Sequence, residues 1–157
     1  MEYQLNNRWV LWYHKVDNDK WDLDSYERWM VINNLSDYYA MLNSIKDISA
    51  GMFFLMKEDI TPLWEDPANK KGGYWSFRVA KSQSNSIWKD LSAVVIGDTL
   101  TVHPDQMEFI NGISFSPKIS NAIFRIWISD ARNKDIKKVI SNQITNLDTS
   151  EAIFKRY

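Results

Sequence analysis

The segment Ile60–Trp75 places an indole and a carboxylate side by side, Trp64 followed by Glu65. An indole face stacks on a planar ring, and most favourably on one that carries positive charge. A carboxylate accepts hydrogen bonds, so it matches a ring edge that presents two donors, such as the N1–H and N2–H₂ groups of guanine. The pair therefore predicts a pocket for a guanine, and especially for a cationic one.

The backbone around this pair is punctuated by proline and glycine. Pro62 and Pro67 flank the indole and the carboxylate and restrict the backbone on both sides. Gly72 and Gly73 then supply the positive-φ freedom that a tight entry into the following strand needs. We therefore expect the pair to be presented from a held loop rather than from a mobile one.

Length and composition restrict the class of protein. The chain has 157 residues, a net charge of −1 and no cysteine. This length predicts one domain, residues 1–157, and the balanced charge predicts that any nucleic-acid contact is local. Without cysteine there is no disulfide, thiol nucleophile or cysteine-ligated zinc site. His14 and His103 lack a metal-ligand spacing and are interpreted as exposed or half-buried side chains.

The sequence shows neither a signal peptide nor an apolar run long enough to span a bilayer. A cytosolic or nuclear compartment is therefore the default, and a cytoplasmic protein is expected.

Apolar periodicity predicts an α+β fold with one curved antiparallel sheet. In the first strand Trp9 and Leu11 alternate with Val10 and Trp12, so both faces carry aromatic bulk. The predicted strands are Arg8–Lys15, Arg28–Asn33, Met52–Lys57, Tyr74–Lys81, Ile113–Ser116, Ala122–Ile128 and Ala152–Phe154. The predicted helices are Ser36–Lys46 with Ser36 as its cap, Ile87–Ile96, Pro104–Ile110, and a helix capped by Asp130 with the apolar stripe Ile136, Val139, Ile140, Ile144 and Leu147.

The chain contains eight tryptophans, more than an ordinary core needs. Trp21 follows the polar turn Asp17–Lys20, and a tryptophan in a charged loop is a poor core residue. Trp21 is therefore singled out beside Trp64 as a tryptophan with a use other than filling the core. The alternative is that both are surface aromatics packed on a neighbour. Five others lie in predicted strands or on a helix core face and are assigned to structure: Trp9, Trp12, Trp29, Trp75 and Trp88.

A series of short motifs runs in order from Asn7 to Trp127. It comprises Asn7–Tyr13, Pro62–Asp66, Asn69–Trp75, Trp88, Ile96–Asp98, Ser114–Lys118 and Ile126-Trp127. This series resembles the eukaryotic translation initiation factor 4E family, the messenger-RNA cap-binding proteins. The resemblance implies a single sheet with helices packed on its convex face and the cap pocket on its concave side.

The resemblance also implies roles for the residues of the first loops. Trp21 and Trp64 would sandwich the 7-methylguanine base, whose N7-methyl group makes the ring cationic, for about 1–3 kcal/mol per aromatic partner. Glu65 would accept hydrogen bonds from N1–H and N2–H₂, an arrangement that adenine cannot satisfy. The alternative for Glu65 is a solvated acid or a salt bridge to Lys70 or Lys71.

Later positions would complete the pocket. Trp127 matches the family tryptophan that packs against the N7-methyl group, and a simple core position is the alternative. At the phosphate end the sequence departs from the family, because Ser116 and Tyr74 stand where relatives usually carry arginines. The remaining candidates for phosphate binding are Lys118, Arg125, Lys155 and Arg156.

Family members also receive an amphipathic helix from a scaffold or repressor protein on the face opposite the pocket. The matching positions on this partner surface are Leu35, Tyr39, Lys89, Ala93 and Ile96. Lysine and alanine on the second helix would hold a generic apolar helix less well than apolar residues would.

The sequence thus predicts a protein that binds the cap of messenger RNA in translation initiation. The alternative is a cap-binding translational repressor, or a specialised factor with a non-standard scaffold partner. An enzyme acting on nucleotides is not expected, because the sequence has no metal-ligand cluster, P-loop or activated nucleophile. No catalytic residue, metal or cofactor is expected, and we expect a monomer that binds neither DNA nor a membrane.

Overall fold

The computed structural model describes residues 3–141 and 147–157. The strands are β1 (Gln4–His14), β2 (Tyr26–Asn34), β3 (Met52–Lys57), β4 (Gly73–Ala80), β5 (Ile110–Pro117), β6 (Asn121–Ile128) and β7 (Ile153–Arg156). The helices are α1 (Leu35–Ser44), α2 (Pro67–Lys70), α3 (Ser84–Ile96) and α4 (Ile136–Val139), with short 3-10 helices in several connections. Over these residues the strands form one antiparallel sheet in the order β2-β1-β3-β5-β6-β4-β7. The predicted α+β fold is therefore confirmed.

The sheet buries side chains on both faces, as the alternation in β1 predicts. Trp9 and Leu11 join the larger apolar cluster, which also contains the buried residues of α1 and α3. Val10 and Trp12 point the other way, into a smaller aromatic cluster. A fully buried side chain of this size contributes about 1.5–3 kcal/mol relative to an exposed one, so both faces stabilise the sheet.

Helices α1 and α3 lie together on one face of the sheet. Met41 of α1 and Leu91 of α3 are fully buried in the larger cluster. Between the helices, the Tyr38 hydroxyl lies 2.9 Å from the Ser92 hydroxyl and donates to the Lys89 carbonyl at 3.1 Å. The helices therefore leave the opposite face of the sheet free to carry a site.

The predicted cap of α1 is wrong by two residues. Asn34, not Ser36, is the N-cap, because its side chain accepts a hydrogen bond from the Asp37 backbone N–H at 2.8 Å. The Asp37 carboxylate accepts in return from the Asn33 N–H at 2.9 Å. These reciprocal bonds satisfy donors at the helix start, so Leu35 is already helical.

The long helix predicted after Asp130 is also wrong. Asp130 caps only a short 3-10 turn, and Asp135 caps α4, which ends before Ile140. Ile140 has an extended backbone and forms a β-bridge with Thr101. The segment around Thr101 therefore takes the backbone hydrogen bonds that a longer helix would use. Val139, Ile140 and Leu147 are nevertheless buried in the core. Ile144 lies outside the described residues.

Four of the five tryptophans assigned to structure are buried: Trp9, Trp12, Trp75 and Trp88. The fifth, Trp29, is 47% exposed, but it lies in β2 and also packs on the protein, meeting Phe53 edge to face with the ring centroids 5.6 Å apart. Its ring covers Tyr13, with the ring centroids 4.5 Å apart, so it packs on the outside of the sheet rather than within the core. The segment predicted as a helix after Pro104 is a 3-10 helix, Pro104–Phe109.

Candidate functional site: an aromatic pocket opposite the helices

The face of the sheet opposite α1 and α3 carries a pocket of about 520 Å³, a volume typical of small-molecule sites. Its floor is aromatic and includes the buried Trp127 of β6. The Trp127 indole N–H donates to the Ser114 hydroxyl at 3.0 Å, and its ring meets Phe54 edge to face. The pocket is lined by Trp21, Tyr26, Met52, Phe54, Pro62, Leu63, Trp64, Glu65, Tyr74, Ser116, Lys118, Arg125, Trp127, Lys155, Arg156 and Tyr157.

The loop that carries Trp64 is held by the carboxylate of Asp66. This group accepts hydrogen bonds from the Thr61 N–H and hydroxyl, both at 2.8 Å, and from the Ala68 N–H at 2.9 Å. Burial raises the pKa of the Asp66 carboxyl, but these hydrogen bonds outweigh burial, so the net shift of its pKa is downward. The predicted held loop is therefore present, with Trp64 exposed on its surface.

Two buried asparagines attach the same loop to the sheet. The Asn69 amide donates to the carbonyls of Thr61 and Leu63 at 3.1 and 2.7 Å. Asn111, at the start of β5, donates to the Asn69 side-chain oxygen at 2.9 Å and to the Ala68 carbonyl at 2.8 Å. These bonds order the loop before any ligand arrives, which lowers the entropic cost of binding.

The two glycines after this loop have a different role from the predicted one. Neither Gly72 nor Gly73 has a positive φ. Instead, a Cβ at Gly72 would overlap the Ile128 carbonyl oxygen, and a Cβ at Gly73 would overlap that of Lys155. The glycines therefore allow the backbone at the start of β4 to lie close to the backbone at Ile128 and Lys155.

We expect replacement of Asp66 by asparagine to lower the free energy of unfolding by about 1–3 kcal/mol at neutral pH, because hydrogen bonds to a charged acceptor are lost. The pKa of Asp66 is lower in the folded protein than the ordinary value near 3.9, so its contribution exists above about pH 4 and disappears as the pH falls below it. Urea unfolding of both proteins at several pH values measures this. A difference that stays constant down to pH 2 would contradict the prediction.

Trp21 stacks on His14, a contact that the sequence did not predict. The two rings are parallel within 3°, with their centroids 4.1 Å apart. One indole face is thus covered by the histidine, while Trp21 as a whole remains 49% exposed and lines the pocket. The alternative that Trp21 packs on a neighbour is correct for this one face, and the other face stays available to a ligand.

His14 itself is fully buried, so its interpretation as an exposed or half-buried residue is wrong. Its Nδ1 lies 2.8 Å from the carbonyl oxygen of Lys15, and its Nε2 lies 2.7 Å from that of Lys20. A carbonyl oxygen only accepts hydrogen bonds, so a ring nitrogen that carries a hydrogen donates to the carbonyl beside it. His14 thereby fixes both ends of the segment that leads to Trp21.

Glu65 lines the pocket with an exposed carboxylate. Within residues 3–141 and 147–157, no ion pair joins it to Lys70 or Lys71, the alternative partners suggested by the sequence. Its negative charge raises the pKa of the Tyr26 hydroxyl, in addition to the larger effect of burial. The carboxylate is therefore close to the aromatic wall and has no competing cation among these contacts.

All four predicted phosphate-binding residues, Lys118, Arg125, Lys155 and Arg156, line the same pocket. The Arg125 guanidinium lies over the Tyr74 ring, 4.3 Å from its centroid, in a cation–π contact. Its Nε is buried without a hydrogen-bond partner in the described chain. Tyr74 stands at the position where the family resemblance implies an arginine. Its ring instead contacts the arginine at position 125.

Two tyrosines of the pocket wall were not predicted. Tyr26 meets Phe54 edge to face, with the ring centroids 5.2 Å apart. The ring centroid of Tyr157 lies 5.5 Å from that of Tyr74 and 5.5 Å from that of Trp127. Burial raises the pKa of the Tyr157 hydroxyl, and nearby Tyr74 raises it further. Alternation along β7 was an available signal, because it places Tyr157 on the same face as Lys155.

The predicted partner surface lies on the helices, away from the pocket. Leu35 and Tyr39 of α1 and Lys89 and Ala93 of α3 are exposed. Ile96 is only 3% exposed, so its assignment to this surface is wrong. It packs inward because the helical stripe that contains Leu91 and Val95 faces the sheet.

The described residues contain no group of three or more histidine or acidic side chains placed to hold a metal ion. Among the same residues, no helix is both long and apolar enough to cross a membrane.

Comparison with known proteins identifies the relatives of this chain. A sequence model described as "Eukaryotic initiation factor 4E" matches residues 4–155. The eukaryotic translation initiation factor 4E1 of Drosophila melanogaster is 32% identical over 152 residues, which cover 91% of this chain and 56% of that protein. The chain therefore spans little more than half the length of this relative.

Solved structures of similar proteins share the fold. A complex of C. elegans eIF4E-3 with the 4E-binding protein Mextli and a cap analog has a TM-score of 0.78 and 26% identity, covering 87% of this chain and 80% of that chain. Ascaris suum eIF4E-3 in complex with the m7G cap has a TM-score of 0.77 and 28% identity, covering 87% of this chain and 79% of that chain.

Proposed function

Because the chain belongs to the eukaryotic initiation factor 4E family, we propose that its pocket binds the 7-methylguanosine cap of messenger RNA. The protein acts in translation initiation in the cytoplasm, with residues 1–157 serving as a single cap-binding domain without catalytic chemistry. One observation carries this proposal: a single pocket gathers three indoles, a carboxylate and four cationic side chains. These groups match the base, the base edge and the phosphates of a cap.

The aromatic groups receive the methylated base. Trp21 and Trp64 come from separate loops on the rim and stack on the two faces of the cationic ring. Trp127 meets the N7-methyl group from the floor, where its indole is fixed by the hydrogen bond to Ser114. Glu65 accepts from N1–H and N2–H₂, which selects guanine over adenine.

The cationic groups receive the triphosphate. Arg125 projects from β6, and Lys155 comes from β7, which pairs with β4 opposite Tyr74. Lys118 at the β5–β6 turn and Arg156 complete the set around the pocket. Their charges are local, which fits a chain whose net charge is −1.

The exposed side chains of α1 and α3 supply the partner surface. The C. elegans relative forms its complex with a 4E-binding protein. By analogy, Leu35, Tyr39, Lys89 and Ala93 contact a scaffold or repressor helix on the face opposite the pocket, while Ile96 supports α3 from beneath.

Retention on an affinity resin tests the proposal. The purified protein is expected to bind immobilised 7-methyl-GTP and to elute with free 7-methyl-GTP but not with GTP, because the methyl group creates the positive charge that the indoles recognise. Elution by both nucleotides at the same concentration, from a protein shown to be folded by circular dichroism, would contradict the proposal.

We expect replacement of His14 by phenylalanine to weaken 7-methyl-GTP binding by about threefold to tenfold. Phenylalanine keeps a ring against Trp21 but loses the contacts of the ring nitrogens with the carbonyls of Lys15 and Lys20, and a hydrogen bond of this kind contributes about 0.5–1.5 kcal/mol to the order of the loop. Calorimetric titration of the variant measures the change. His103→Phe, at an exposed histidine outside the pocket, is the matched control. Equal affinities for wild type and the His14 variant would refute this role.

A further inference from the structure

An open groove lies beside the pocket, at the end of the sheet where several interior strands terminate. Four connections meet there, because the antiparallel register brings the end of β1, the start of β3, the β5–β6 turn and the end of β4 to the same end of the sheet. The groove is lined by Val16, Ser49, Lys81, Lys118 and Ile119, among others. Neither the base nor the triphosphate of the proposed ligand accounts for it.

The groove continues the cationic end of the pocket. Lys118 lines both the pocket and the groove. Along β6 the alternation leads from Trp127 through Arg125 toward the β5–β6 turn, where Lys118 follows Pro117. A ligand that leaves the pocket by passing Arg125 therefore reaches the end of the sheet at Lys118.

The chemistry of the groove suits a phosphate-linked chain. Lys81 adds a second cation beside Lys118, and no carboxylate is among the residues lining the groove. Among the described residues, no ion pair involves Lys81 or Lys118. Both ammonium groups are therefore available to an added anion.

The groove also carries apolar side chains that nothing in the described chain covers. Ile119, at the tip of the β5–β6 turn, is fully exposed at 100%, and Val16 is 55% exposed. Proteins that bind single-stranded nucleic acid combine cations that follow the backbone with apolar or aromatic surfaces that contact bases. Cations and apolar groups meet here in the same few residues.

We propose that this groove binds the first nucleotides of the RNA that follow the cap. Lys118 lies where the triphosphate leads into the groove, Lys81 contacts the phosphates that follow, and Ile119 and Val16 contact a base. This inference rests on the proposed function, because the cap pocket sets the direction in which the RNA leaves. The continuity through Lys118 favours RNA over a peptide in this groove.

The test compares 7-methyl-GTP with a short RNA that carries the same cap. Wild type is expected to bind the capped RNA more tightly than 7-methyl-GTP, with a steeper salt dependence, because additional phosphates are neutralised. In the double variant Lys81→Ala and Ile119→Ser, this gain is expected to fall by about threefold to tenfold, while the affinity for 7-methyl-GTP stays unchanged. Lys138→Ala, at an exposed lysine of α4, is the matched control and keeps the full gain.

The outcomes separate the two proposals. Tight binding of 7-methyl-GTP with no gain from the RNA, or an undiminished gain in the double variant, would overturn the groove proposal alone. Failure of folded wild type to bind 7-methyl-GTP would overturn cap binding, and the groove proposal with it.

Discussion

Replacing Trp64 with alanine is expected to weaken 7-methyl-GTP binding by about tenfold to a hundredfold. Trp64 is 56% exposed on the rim of the pocket, on a loop already held by Asp66 and Asn69, so its indole is positioned before the ligand binds. Stacking of a base on an aromatic side chain contributes about 1–3 kcal/mol, and about 1.4 kcal/mol corresponds to a tenfold change in affinity. Isothermal titration calorimetry measures the ratio of dissociation constants.

Trp29→Ala provides the matched control. Trp29 is exposed to a similar degree, 47%, but it stacks on Tyr13 on the face of the sheet opposite the pocket. Its replacement is expected to leave the affinity unchanged. An equal loss in both variants, or no loss in Trp64→Ala, would contradict the assignment of Trp64 as a stacking residue.

Replacing Glu65 with glutamine is expected to have the largest effect, a loss of about a hundredfold in affinity for 7-methyl-GTP. The amide loses the negative charge, and its N–H₂ group opposes one of the two donors on the guanine edge. Hydrogen bonds to a charged group contribute about 1.5–3 kcal/mol each, so the loss of even one is readily measured. Competition titrations with a fluorescent cap analogue give the dissociation constants.

A second ligand shows whether Glu65 acts on the base edge. In 7-methyl-ITP the N2 amino group is absent, so wild type is expected to bind it about tenfold or more weakly than 7-methyl-GTP. In Glu65→Gln the difference between the two ligands is expected to shrink. Glu27→Gln, at an exposed glutamate of β2, keeps the wild-type preference. An unchanged preference in Glu65→Gln would refute edge recognition by this residue.

The parts of the site that lie close together in sequence were predictable. Trp64 and Glu65 are adjacent, and two prolines beside them already indicate a held loop. The hydrogen bond between the side chains of Asn69 and Asn111 was not predictable. The two residues are 42 positions apart and meet only when β5 is in place. A single sequence gives no signal for such a contact.

The burial of His14 was hidden for a similar reason. Alternation along β1 places His14 on the face shared with Val10 and Trp12, but its hydrogen bonds depend on how the following loop folds back. Only the closed loop brings the Lys20 carbonyl to within 2.7 Å of its ring. The stacking of Trp21 follows from the same closure.

The error after Asp130 has a different origin. The apolar stripe was real, since Val139 and Ile140 are buried, but burial does not require a helix. The backbone N–H of Val102 donates to the Val139 carbonyl, and that of Ser141 donates to the Leu100 carbonyl. These distant strand-like contacts compete with the helix, and apolar spacing alone cannot reveal them.

Intrinsic tryptophan fluorescence during titration with 7-methyl-GTP tests the central claim most directly, with GTP as the control ligand. Three of the eight tryptophans line the pocket, so stacking is expected to quench a large part of the emission, and to do so selectively with the methylated nucleotide. Saturable quenching by 7-methyl-GTP and little by GTP is the predicted result. No quenching in a folded protein, or equal quenching by both nucleotides, would contradict recognition of the cap by this pocket.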